Sequence, residues 1–252
     1  MKTKLIYSIL FFWMMISCSK DGNNDIGNLS ENGTGGSTAR FVLVDNFLYV
    51  IDNTKLRTYN VSDDANPILV NTDDVGFGIE TLYPFEDYLL IGSTTGMFIY
   101  EIQGNGVPSY ISEYQHIETC DPVVASGDYA YVTLRSTRSC GGNFSENNQL
   151  QVINIQNPQS PNLVYQTWVD NPKGLAVDDN FLFVCVAEEG IFIYDITDGA
   201  YPVYYGAIDG FTANDVIAQN NRLLVVCPDG LRQFEYSNIN NISTISYFAV
   251  NL

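Results

Sequence analysis

Polar residues recur at one position of an internal repeat in this chain. Seven residues before each of five similar turns stand Ala39, Glu80, Asp121, Lys173 and Asn214. Four of the five are polar or charged, and Arg40 and Asp215 follow two of these positions by one residue. Unlike charges gathered around one opening suit a polar ligand or a bound ion. The alternative is that the opening is wet and needs polar residues for that reason alone.

A second candidate region is the longest insertion in the repeat, residues 134–148, which carries Arg135, Arg138 and Cys140. It joins the second and third strands of one repeat, and the repeat pattern places it on the same face as the polar positions. Arg135 and Arg138 therefore join the candidate ligand-binding residues. Cys120 precedes the first strand of that repeat, next to the second strand, so we predict a Cys120–Cys140 disulfide.

The remaining chemically active residues favour structural roles. Cys185 and Cys227 occupy positions five and six after their own turns, so they point to opposite sheet faces and are expected to stay free and buried. The single histidine, His116, falls in a fourth strand, and the chain has no Gly-x-Ser-x-Gly motif to pair with it in a catalytic triad. Acidic pairs such as Asp63-Asp64 lack the spacing of a calcium loop. No metal site and no cofactor are predicted.

The elements that position these residues are short strands in five copies. Each copy has an Asp or Asn turn residue followed by an apolar strand, and the copies start at Asn46, Asp87, Asp128, Asn180 and Asn221 with spacings of 41, 41, 52 and 41. Third strands also align, and proline opens the fourth strand of the first four copies, at Pro67, Pro108, Pro161 and Pro202. Four strands in a period near 41 are typical of a propeller blade.

The sequence therefore predicts an all-β fold, a β-propeller of about five four-stranded blades. Third-strand residues Val61, Ile102, Ile155 and Ile196 should pack between the sheets. Strand order suggests that blades five and one close face to face without an exchanged strand. A dimer, or an extra blade from the preceding segment, is the alternative way to close the ring.

The first residues predict export. Met1-Lys2-Thr3-Lys4 is basic, residues 5–16 are apolar but too short to span a bilayer, and Cys18 follows directly after Ser17. This ending resembles the lipobox of bacterial lipoproteins, although Met15 departs from the usual Leu or Val. An ordinary cleaved signal is the alternative. We expect a signal peptide over residues 1–17, lipidation at Cys18, a flexible tether over 18–38 and a propeller domain over 39–252.

The third-strand pattern, with its Asn-Pro and Ser-Pro turns at residues 66–67 and 160–161, resembles the LVIVD-repeat family of bacterial surface lipoproteins. The resemblance is closest at Cys120-Asp121-Pro122-Val123-Val124 and Asn171-Pro172-Lys173-Gly174-Leu175. It implies a propeller attached to the outer membrane through lipid, and Ser19-Lys20-Asp21 resembles a surface-export tag. The family implies no biochemical activity.

Composition narrows the function classes. The chain has 29 Asp and Glu against 11 Lys and Arg, a net charge of −18, which argues against nucleic-acid partners and against adsorption to anionic lipid. Two classes stay open. The first is a surface binding or scaffold module for a protein, peptide or glycan, and the second is a hydrolase or lyase that uses carboxylates at the channel mouth. The first is favoured because the sequence shows no nucleophile motif.

Overall fold

The computed structural model describes residues 35–116, 122–135 and 148–250. They belong to one compact unit, Glu31–Leu252, and contain twenty strands and no helix. The strands are β1 Phe41–Val44, β2 Phe47–Asp52, β3 Lys55–Asn60, β4 Ile68–Asp74, β5 Ile79–Phe85, β6 Tyr88–Ser93, β7 Gly96–Ile102, β8 Pro108–Gln115, β9 Val123–Ser126, β10 Tyr129–Leu134, β11 Gln149–Asn154, β12 Asn162–Trp168, β13 Pro172–Asp178, β14 Phe181–Val186, β15 Gly190–Asp195, β16 Val203–Ile208, β17 Asp215–Gln219, β18 Arg222–Cys227, β19 Gly230–Glu235 and β20 Ser243–Ala249.

These strands form five antiparallel sheets arranged as a five-bladed propeller. Each sheet consists of four consecutive strands, so blade 1 is β1–β4, blade 2 is β5–β8, blade 3 is β9–β12, blade 4 is β13–β16 and blade 5 is β17–β20. The predicted fold class and blade number are confirmed. No sheet contains a strand exchanged from another repeat, as the sequence predicted.

The turn between the first two strands begins one residue before the aligned Asp or Asn position of each repeat. The first turn residue has a positive φ in every blade, near 50° at Asp45, Glu86, Gly127, Asp179 and Asn220. Asp, Asn and Gly accept this left-handed backbone most easily. The second turn residue accepts a backbone hydrogen bond from the end of the third strand. In blade 1 the Val61 N–H donates to the Asn46 carbonyl at 2.8 Å. Equivalent bonds occur in all five blades.

Buried side chains form four clusters, one between each pair of consecutive blades. Tyr49, Tyr131 and Phe183 are the largest fully buried side chains in them. Of the third-strand residues expected in the core, Ile155 and Ile196 are buried, whereas Val61 and Ile102 are half-buried. Cys185 and Cys227 are free and buried in the cluster between blades 4 and 5, which confirms that prediction.

The faces of blades 5 and 1 do not pack in the same way. No cluster of buried side chains joins these two blades among the residues that the structure describes. Leu224 and Val226 of β18 are each 39% exposed, and Phe41 of β1 is 65% exposed. The described residues therefore show no packed core between blades 5 and 1, where the sequence predicted a face-to-face closure. The face of blade 5 also presents Gln233, whose amide favours water over an apolar interface.

Candidate ligand-binding site at the channel mouth

The predicted polar residues meet in one cavity. Glu80 is the second residue of β5, Lys173 the second residue of β13, Asn214 directly precedes β17, and Arg135 directly follows β10. All four line an open cavity of about 530 Å³. The other lining residues are Thr38, Arg40, Thr81, Pro122, Gly174, Asp215 and Val226.

The propeller architecture explains this convergence. First strands of neighbouring blades contact one another, as β5 contacts β9 and β13 contacts β17. Residues at equivalent starts of these strands are therefore brought to one opening from different blades. Asp121 and Arg138 were predicted for the same surface, and they lie outside the described residues. The same holds for Cys18 and for the proposed disulfide partners Cys120 and Cys140.

Lys173 is held at the cavity by contacts to both neighbouring blades. Its Nζ donates a hydrogen bond to Asn214 Oδ1 at 2.5 Å. Its carbonyl accepts a bond from Thr133 Oγ1 at 2.6 Å. Burial lowers the pKa of the Lys173 ammonium, and the nearby Arg135 guanidinium lowers it further. The lysine therefore presents a partly desolvated cation to the cavity.

Glu80 and Arg135 form the oppositely charged pair of the cavity. Burial raises the pKa of Glu80, and the positive charges of Arg135 and Arg40 act against that rise. Burial likewise lowers the pKa of Arg135, while Glu80 acts to raise it. Each group thus offsets part of the desolvation of the other.

Asp215 forms a half-buried anchor in the wall of the cavity. Its carboxylate accepts hydrogen bonds from Ser37 Oγ at 3.2 Å, Thr38 Oγ1 at 2.5 Å and the Val216 N–H at 3.0 Å. Burial raises the pKa of Asp215, and bonds from Thr38, Val216 and Ser37 act to lower it. Ser37 Oγ also accepts the Leu175 N–H at 2.7 Å, so it links the segment before β1 to blade 4 as well as to blade 5.

Two glycines make room for this carboxylate. A Cβ on Gly36 or on Gly174 would lie about 2 Å from an Asp215 oxygen, well inside any allowed contact. Sequence reasoning placed Ser37 and Thr38 at the end of the tether and assigned them no contact. The repeat pattern does not predict the contacts of Ser37 and Thr38, because these residues precede the first repeat and their partner lies in the last one. The only available signal was the pair of hydroxyl residues after two small glycines.

The other candidate residues lie elsewhere. His116 directly follows β8, the fourth and outer strand of blade 2, and its ring lies 6.3 Å from that of Tyr114. Asp73 and Asp74 line a separate depression with Tyr100 and Tyr110. Across the described ranges, no group of three or more His, Cys, Asp or Glu side chains has the arrangement of a metal site. Within the same ranges, no helix is long and apolar enough to cross a membrane.

Comparison with known proteins adds a family and a fold. The model of the LVIVD repeat matches residues 35–74, 119–136, 145–167 and 171–209. A search of curated proteins found no match.

Several solved structures share the fold at low sequence identity. A protein from Lactobacillus plantarum is 13% identical with a TM-score of 0.62, over 81% of this chain and 68% of that one. A functionally unknown protein from Desulfotomaculum acetoxidans is also 13% identical with a TM-score of 0.62, over 88% and 70%. The periplasmic gluconolactonase of Pseudomonas aeruginosa is 13% identical with a TM-score of 0.60, over 82% and 70%. These matches show the fold alone.

Proposed function

The chain is an LVIVD-repeat propeller, and we propose that it is a lipid-anchored envelope protein that binds its ligand at the channel mouth. The ligand would be a protein, a peptide or a glycan that places a polar group in the cavity. Neither a cofactor nor a nucleic acid enters this proposal. Attachment to the outer membrane would come from the lipid on Cys18, because the net charge of −18 disfavours contact with anionic lipid.

One observation carries the binding proposal. Glu80, Lys173 and Asn214 come from three different blades, yet they line a single cavity together with Arg135. The cavity volume of about 530 Å³ is in the range of small-molecule and cofactor sites. Lys173 and Asn214 are also held by a hydrogen bond to each other, so part of the surface is ordered before any ligand arrives.

The binding proposal is tested by a screen of glycan and peptide arrays with the mature protein. The parent is compared with Lys173→Ala, Asp121→Ala and a variant with residues 136–147 shortened. Arg222→Ala serves as the control for the loss of a cation, because Arg222 is exposed at the start of β18, at the far end of blade 5 from Asp215. The proposal predicts ligands that the parent and the control retain and that at least one of the three variants loses. Equal retention by all folded variants would remove the channel mouth as the binding surface.

The anchoring proposal has its own test. Cys18→Ala removes the residue that would carry the lipid, so the protein is expected to move from the membrane fraction to the soluble fraction. A Cys227→Ala variant is a suitable control, since that cysteine is buried within the propeller. Protease treatment of intact cells then reports whether the anchored protein faces the outside. Unchanged membrane association of the Cys18→Ala protein would refute the lipid anchor.

A hydrolase or lyase is the second candidate, and one observation favours it. Burial raises the pKa of Glu80, which is the direction that a general acid requires. The gluconolactonase of similar fold makes sugar lactones a reasonable substrate class to assay. Binding is the better-supported proposal because the second carboxylate, Asp215, already accepts bonds from Ser37, Thr38 and a backbone N–H. Lactone turnover that disappears in Glu80→Gln would reverse this preference.

A further inference from the structure

Cationic side chains are concentrated at the channel mouth of a strongly acidic protein. The whole chain has 11 Lys and Arg residues against 29 Asp and Glu residues. Three of these 11 cations, Arg40, Arg135 and Lys173, line the same cavity. Eight of the 11 lie within residues 39–252, so three of the eight cations of the propeller domain line this opening.

Two arginines elsewhere in the described structure are paired locally. Arg57 Nη1 lies 2.6 Å from Asp52 Oδ2, and Arg232 Nη1 lies 2.6 Å from Asp229 Oδ1. These pairs neutralise their cations on the surface, where they contribute little to stability. The channel-mouth cations differ because three of them share a cavity with two carboxylates, Glu80 and Asp215.

Among the described residues, Asp215 makes no ion pair with those cations. Its two oxygens accept bonds from Ser37, Thr38 and the Val216 N–H. Lys173 Nζ donates one hydrogen bond to the neutral amide of Asn214. An ammonium group has three donors, so this bond uses one of them. Arg135 and Lys173 are also close enough for the charge of the first to lower the pKa of the second. An anion placed between them would relieve this repulsion.

We propose that the polar group of the ligand that enters the cavity is a carboxylate or a phosphate, such as that of a sugar acid or a sugar phosphate, with Arg135 and Lys173 as its contacts. This inference rests on the proposed function, because it takes the channel mouth to be the binding surface and adds the chemistry of the ligand. A guanidinium pairs with both oxygens of a carboxylate or phosphate, and an ammonium contributes a compact second charge. The volume of about 530 Å³ accommodates a sugar acid or a sugar phosphate.

Titration calorimetry with four probes tests the ligand chemistry and separates its two sources. The probes are glucuronate, glucose 6-phosphate, inorganic phosphate and neutral glucose, each added to the mature protein. We expect at least one organic anion to bind at least about tenfold more tightly than glucose, and binding to weaken as salt is added. Preference for glucuronate indicates a carboxylate ligand, whereas preference for the two phosphates indicates a phosphate ligand. Equal affinity for glucose and all three anions, or no binding of any anion, overturns the proposal.

Charge-changing variants give a second test in which the sign of the effect matters. Lys173→Gln and Arg135→Gln should each weaken anion binding by about tenfold or more, because each removes a partly buried cation. Glu80→Gln should leave binding unchanged or tighten it, since it removes a competing carboxylate. Arg222→Gln is the matched control and should change affinity by less than about twofold, because this exposed charge lies at the far end of blade 5 from Asp215 and is screened. The opposite pattern, with Glu80→Gln weakening binding and Lys173→Gln tightening it, would show a cation site.

A third variant, at an exposed residue, tests the same inference without changing a buried side chain. Arg40 is exposed, so Arg40→Gln should fold as the parent does and still weaken anion binding. Unchanged anion affinity in Arg40→Gln, Arg135→Gln and Lys173→Gln together would overturn the inference. The proposed function is refuted by a different result, namely that the channel-mouth variants retain every ligand found in the array screen. A neutral array ligand that requires the mouth but not its cations would leave the function standing and refute only the anion.

Discussion

Blade 5 has two apolar faces, and only one of them is part of a core. Leu223 and Val225 point towards blade 4 and are fully buried, whereas Leu224 and Val226 alternate with them and are each 39% exposed. In β14, the equivalent strand of blade 4, every residue from Leu182 to Val186 is buried. The same local pattern therefore gives two different environments, according to whether another blade covers the second face.

This comparison shows what a repeat can and cannot specify. The side chains of a strand point alternately to the two faces of its sheet, and each face is buried only where another blade packs against it. Every inner blade has such a neighbour on both faces. No cluster of buried side chains lies on the outer face of blade 1 or of blade 5 in the described structure. What links the two ends is instead polar: Ser37 and Thr38, just before blade 1, bind Asp215 of blade 5.

The largest expected difference comes from truncating neighbouring leucines on the two faces. Leu223→Ala should destabilise the protein by about 2–5 kcal/mol, because it opens a cavity in the cluster between blades 4 and 5. Leu224→Ala should cost less than about 1 kcal/mol, since the side chain is already 39% exposed. Urea unfolding followed by circular dichroism measures both.

The leucine pair is a matched comparison in residue type, strand and substitution. Similar losses in the two variants would mean that the outer face of blade 5 is covered in solution, by blade 1 or by a second molecule. Measuring the loss at two protein concentrations separates these cases, because only association depends on concentration.

Most of the fold follows from the sequence, since its signals are local and recur five times. The turn residues, the alternating strands and the prolines before the fourth strands each report on a few neighbouring residues. The same register located Glu80, Lys173 and Asn214 at one mouth. Closure could not be predicted in this way, because it depends on whether two distant faces meet. The Ser37–Asp215 contact was missed for the same reason, as its partners are 178 residues apart.

The second prediction concerns the polar link between the ends. Ser37→Ala removes the acceptor of the Leu175 N–H and one donor to Asp215, and Ser37 is only 1% exposed. An amide left buried without a partner costs about 1–3 kcal/mol, so we expect a loss of that size. Ser243→Ala, in an exposed strand position, should change stability by less than about 0.5 kcal/mol. Equal midpoints for the parent and Ser37→Ala in urea would show that the link does not stabilise the fold.

The smallest expected effect is the pH dependence of the same link. Burial raises the pKa of Asp215 in the folded protein, so the folded state holds this proton more tightly than the unfolded chain does. The stability that protonation provides is complete below the unfolded pKa and is lost as pH rises through the folded pKa. Asp215→Asn keeps an acceptor for Ser37 and Val216 but cannot ionise.

The Asp215→Asn variant should therefore gain stability relative to the parent as pH rises from about 3.5 to about 7, and the gain should be smaller than the loss in Ser37→Ala. Parallel urea series at several pH values measure the difference. Asp64→Asn, at an exposed turn, is the control for the loss of a carboxylate. A gain for Asp215→Asn that shrinks with rising pH would mean that the ionised carboxylate stabilises the link. The hydroxyls of Ser37 and Thr38 would then outweigh the cost of burying the charge, and the polar contact between the two ends would be stronger than its burial indicates.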